Sequence, residues 1–98
     1  MKLLNYNEFQ NTLDSEFPHK DWSEALKSLW HEAKGDWEAS HSIAQDIPSE
    51  LGNWIHAYLH RKEGDEWNAG YWYRQAKRPS PTLTLEEEFK EILEYVLD

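Results

Sequence analysis

The stretch W54-I-H-A-Y-L-H-R-K-E-G-D-E-W-N-A-G-Y-W-Y-R-Q-A-K-R-P79 decides how the rest of the chain is read. Before Gly64, Leu51, Trp54, Ile55, Tyr58 and Leu59 recur at helical spacing. After it, Ala69, Trp72, Tyr73 and Ala76 do the same. A glycine followed by aspartate between two such runs predicts a left-handed helix stop and the cap of the next helix. The stretch therefore reads as a helical hairpin, with Pro79 closing it.

Working outward, the same punctuation recurs on both sides. Pro48 and Ser49 start the fourth helix, and Gly35-Asp36 separates a second helix from a third that is expected over Trp37–Ile47. The second helix is expected to begin at Trp22 behind an Asp21 cap, with Glu24 reaching back. Its Trp22, Ala25, Leu26, Leu29, Trp30 and Ala33 form an amphipathic stripe. Asn5 and Glu8 have capping-box spacing for a first helix, with Tyr6, Phe9 and Leu13 on its face and Pro18 as its end. The fifth helix is expected over Glu66–Lys77. Arg78–Thr82 forms an extended linker, and Thr84 with Glu87 caps a last helix carrying Leu85, Phe89, Ile92, Leu93, Val96 and Leu97. No strand alternation competes, so the expectation is one all-α domain over residues 1–98 with about six helices: two helical hairpins flanked by capping helices.

Composition narrows the function classes. The 98 residues include no cysteine, which excludes disulfides, thiolate metal sites and cysteine nucleophiles. The two leucines in MKLLNYNEFQ fall far short of a signal-peptide core, and no run approaches a membrane span, so a cytoplasmic protein without membrane contact is expected. The net charge is −9 and uneven: residues 54–79 hold 5 Lys or Arg against 3 acids, whereas residues 1–53 hold 4 against 10. A basic island in an acidic chain argues against nucleic-acid binding. It leaves two alternatives, a site for a small anionic ligand or pairing of its cations with the acidic last helix.

Aligning Ala25–Pro48 with Ile55–Pro79 reveals an internal repeat. The Gly-Asp pairs coincide at a spacing of 29, Trp30-His31 matches Leu59-His60, and with one inserted residue Trp37 and Ala39 match Trp67 and Ala69. The second unit resembles tetratricopeptide and Sel1-like repeats, with Ala69, Tyr73 and Ala76 placed 5, 9 and 12 residues after Gly64. The first departs from that pattern, with Ser40 and Ala44 at the small and aromatic positions. The chain also resembles a family of bacterial and fungal proteins of unassigned function. The shared block is His56, Ala57, His60, Arg61, Glu63, Gly64, Asp65, Asn68, Tyr71 and Trp72, with Ala39-Ser40-His41 upstream. That resemblance implies no particular activity.

Candidate site residues follow from the helical wheel. His56, His60 and Glu63, at i, i+4 and i+7, share the side of helix four opposite its apolar stripe. That reads either as a solvated polar face or as part of a zinc site, which needs further ligands. The glutamate that a metalloprotease holds between its two histidines is absent, since Ala57 follows His56. His41 shares a face with Trp37 and Ala44 and reads as a buried neutral histidine, or as a third ligand if helices three and four are neighbours. On helix five, Trp67, Tyr71 and Arg74 form a second face, either buried between layers or lining a cleft for a planar or anionic ligand.

Three functions are therefore weighed. The first is a non-catalytic binding module that recognises a small ligand or protein partner through His41, His56, His60, Arg61, Glu63, Tyr71 and Arg74, with no cofactor. The second is a zinc-dependent or histidine-based hydrolase with His41, His56 and His60 converging. The third is a homodimer contact through the Trp67 face.

Overall fold

A computed structural model describes residues 5–97; the leucines at positions 3 and 4, read against a signal-peptide core, lie outside them. Six α-helices make up the described chain: α1 Tyr6–Asn11, α2 Glu24–Ala33, α3 Trp37–Ala44, α4 Glu50–Lys62, α5 Glu66–Gln75 and α6 Leu85–Leu97. Among the described residues there is no strand, and no helix is long and apolar enough to cross a membrane.

Local signals place most of the ends. Asn5 and Glu8 exchange bonds of 3.0 and 2.8 Å, and Thr84 and Glu87 do the same at 3.0 and 3.1 Å. Both capping boxes satisfy amide groups that have no partner within the helix. Gly35 and Gly64 take φ of 88° and 87°, conformations that side chains beyond glycine adopt at a cost. In each turn the next amide reaches back to the last helical turn, Asp36 N to His31 O and Asp65 N to His60 O, both at 2.9 Å. The aspartate then caps the following helix through Ala39 N or Asn68 N.

Four boundaries differ from expectation, each for a local reason. α1 stops at Asn11 instead of running toward Pro18, because Thr12 turns its hydroxyl onto Phe9 O at 2.6 Å and the chain tightens into a 3-10 turn over Thr12–Asp14. α2 is capped by Ser23, whose hydroxyl accepts from Leu26 N, so Trp22 lies outside the helix and stacks on Phe9. α3 ends at Ala44 because Pro48 disfavours helical geometry before it, and the Asp46 and Ile47 amides close tighter turns onto Ile43 and Ala44. α5 ends at Gln75, where Lys77 takes φ 58° and Arg78 N bonds Tyr73 O, the same closure that the two glycines make elsewhere.

Packing is centred on α4. Helices α2 and α3 form one hairpin and α4 and α5 another; α3 lies against α4, while α6 covers α4 and α2. The shared core is built from Phe9, Leu29, Trp30, Ile55, Leu59, Ile92 and Leu93. Within the first hairpin Ser28 donates to Ser40 O at 2.8 Å, and both serines are fully buried, so the backbones approach closely. Between the hairpins, Gly52 sits so near Ile47 that a Cβ there would lie 2.3 Å from its carbonyl oxygen.

This central position corrects one expectation about α4. Its residues from Trp54 to Leu59 are buried without a break, including His56 at 7% exposure, so that histidine lies on no solvated face. The converse holds for α5, where Ala69 and Tyr73 are buried while Trp67 is 78% and Tyr71 41% exposed. Of the two readings of the Trp67, Tyr71 and Arg74 face, burial between layers and a cleft lining, this exposure excludes burial. Here the side carrying Ala69, Trp72, Tyr73 and Ala76 is the one that packs against neighbours.

Candidate metal centre

The helix geometry delivers three imidazoles to one point. α4 projects His56 and His60 one turn apart on the same side, and α3 brings His41 across to meet them. His41 Nε2 and His56 Nε2 lie 2.9 Å apart, one donating to the other. The ring centroids are 4.5 Å apart for His41 and His56, 5.2 Å for His41 and His60, and 4.8 Å for His56 and His60. One nitrogen from each ring falls within 4.8 Å of the other two.

Two tryptophans hold the rings in place. Trp37, one turn before His41 on α3, stacks on it at 4.8 Å and 11° and donates its indole N–H to Leu59 O at 2.8 Å. Trp72 of α5 stacks on His56 at 4.1 Å and 20°. The imidazoles are therefore walled by flat apolar surfaces that restrict rotation. Trp37 shares a face with His41 in the sequence, but its role as a wall is not evident there. Trp72 reads simply as packing, and its place in the same block as His56 is the one signal in the sequence that points to it.

Electrostatics favour the neutral forms of His56 and His41. Burial, followed by the neighbouring His41 and His60, lowers the His56 pKa to about 4. His41 is also lowered, by burial first and then by His60, with Glu63 and Glu38 pulling the other way. His60 is oriented by Glu63, whose carboxylate meets its Nδ1 at 2.6 Å. With Nδ1 engaged, Nε2 is the ligating nitrogen that His60 has left. Asp65 is close by but committed to its cap: Asn68 bonds it through N at 3.2 Å and Nδ2 at 2.6 Å, and these bonds hold its carboxyl below the usual range.

The remaining candidates are not brought together at this point. Tyr71 reaches the cluster only indirectly, edge-on to Trp72 at 5.0 Å. Arg61 points elsewhere, pairing with Glu88 at 2.8 Å and bonding Leu83 O. Arg61 thus makes the pairing with the last helix that the charge distribution offered as one alternative, whereas Lys62 pairs with Glu32 of α2 and Lys77 with Glu50 of α4. Arg74 is exposed on α5 beside Gly70. His31 and His19 lie outside the cluster, His31 edge-on to Trp30 and His19 in the exposed loop before α2.

Chemically, three imidazoles at this spacing form a nitrogen donor set of the kind that zinc and the later first-row divalent ions take. Tetrahedral zinc bonds of about 2.0 Å place ligand nitrogens roughly 3.3 Å apart, so the 2.9 Å His41–His56 pair needs a modest opening while His60 closes in. The ion would replace the proton now shared by those two rings. Comparison of the chain with protein-family models, curated proteins and solved structures returns no match.

Proposed function

We propose that this chain is a metal-binding domain in which His41, His56 and His60 hold a zinc-class divalent ion and Glu63 orients His60 from behind. The reading rests on one observation, the convergence of three imidazole nitrogens from two helices within 4.8 Å. Two supports stand beside it. His56 and His41 are held largely unprotonated, the form that binds a metal. The Glu63–His60 contact has the carboxylate-histidine geometry typical of metal sites.

The domain is thus read as a binding module, with the ligand narrowed from an unspecified small molecule to a cation. We also read the two hairpins as copies of one tetratricopeptide-like unit, supported by the matching φ and hydrogen bonds of their Gly-Asp turns. The site then falls where the two copies meet. A cytoplasmic setting agrees with the absence of cysteine.

The test is calorimetric titration of the purified, chelator-stripped chain with zinc. One equivalent should bind, and His56→Gln should weaken binding at least a hundredfold while the far-UV circular dichroism stays the same. Equal zinc affinity in wild type and variant would refute the reading.

A further inference from the structure

We propose that the fourth coordination position of this metal is open and exchangeable, and that it takes a small monoanion or water in place of a fourth side chain. The proposal rests on the three-histidine reading above and says what kind of site that would be.

The donor inventory is the first argument. Among the described residues, the His41, His56 and His60 set extends to no fourth histidine or carboxylate, Glu63 and Asp65 group with His60 alone, and the chain has no cysteine. The two nearest carboxylates are already engaged. Glu63 sits behind the His60 ring on Nδ1, and Asp65 is bonded twice by Asn68. Zinc sites with four protein ligands are structural, whereas those with three keep a place for an exchangeable ligand.

Charge is the second argument. Three neutral imidazoles leave both positive charges of a divalent ion uncompensated in its first coordination sphere. A monoanion there halves the net charge without needing a partner from the chain. The flanking walls are the third. Trp37 lies flat on His41 and Trp72 flat on His56, and an indole has no lone pair to give a metal, so neither wall supplies a fourth ligand. Access comes past His41 and His60, which are both half-buried while His56 is closed off.

A fourth argument is that the fold has no evident need of a metal clamp. α3 is already fastened to α4 by the Trp37 N–H on Leu59 O, and Gly52 lets the α3–α4 connection lie against α4. The ion is therefore free to serve a ligand.

The experiment uses the full chain loaded with one equivalent of cobalt(II) and titrated with sodium azide, while the visible d–d bands are followed. The expected result is a saturable shift of the bands, with isosbestic points and a stoichiometry of one azide per cobalt. Tetrahedral cobalt bands that stay unchanged at high azide would overturn the open position while leaving the three-histidine site intact. Should Glu63→Gln acquire an azide response that the wild type lacks, Glu63 would be the fourth ligand and the proposal would fail in that way. The absence of any cobalt bands would refute the metal reading itself.

Discussion

Two polar clusters lie on opposite sides of α4, and they are finished to different degrees. Glu88, 1% exposed, accepts the Tyr73 hydroxyl on both oxygens at 2.8 and 2.6 Å, the Trp54 indole N–H at 3.2 Å and Arg61 at 2.8 Å. Its charge is paired and its lone pairs are taken, so it has nothing left to offer a ligand. Its pressure on Tyr73 is visible in that hydroxyl, whose pKa is raised by burial and by the Glu88 contact. The histidine cluster is more sparsely bonded, with three rings sharing one internal bond and Glu63 outside the triangle on His60 Nδ1. A saturated buried cluster holds helices together; an unsaturated one of the same size is where a ligand has something to gain.

The contrast can be broken most severely at the saturated end. Arg61→Met should leave the Glu88 carboxylate buried without its cation and cost about 3 kcal/mol. A urea-denaturation midpoint measures this, and zinc affinity should be unchanged. Gly52→Ala comes next, since the new methyl would run into the Ile47 backbone; about 2 kcal/mol is expected by the same measurement. A smaller change in the opposite direction is expected at Lys77, which holds φ 58° where the other two turns use glycine. Lys77→Gly should raise stability by about 1 kcal/mol.

At the unsaturated end the expected effect is on pH dependence. In the metal-free chain the folded His56 pKa is about 4, below the ordinary histidine value near 6.5. Between those values the unfolded chain binds more protons than the folded one, so this contribution to stability is intact above the unfolded pKa and is lost as pH falls toward the folded one. The urea midpoint should therefore drop between about pH 7 and pH 5, and His56→Gln should flatten that drop. Saturating zinc should steepen it in the wild type, because acid also releases the metal. Equal slopes for wild type and variant would remove His56 as the buried titrating group.

What could be read from the sequence follows the range of the interactions involved. Asn5–Glu8, Thr84–Glu87 and the two Gly-Asp turns are contacts across three to five residues, and residue type alone predicts them. The α3 end at Ala44 and the Ser23 cap differ from the expected bounds because several local turn signals compete near Asp21 and Pro48, and residue type does not rank them. The buried glutamates were not legible. Glu32 and Glu88 look like ordinary surface acids until Tyr58 and Lys62, or Trp54, Tyr73 and Arg61, arrive from distant parts of the chain.

By itself, then, the sequence determined six helices, their hairpin pairing and the i, i+4 placement of His56 and His60, because helical periodicity and capping are local properties of the backbone. Only the tertiary structure decided that α4 is surrounded, that His56 is therefore buried, and that His41 meets it Nε2 to Nε2 from 15 residues away. A helical wheel ranks the faces of one helix by polarity; which faces are covered depends on how many neighbours pack around it.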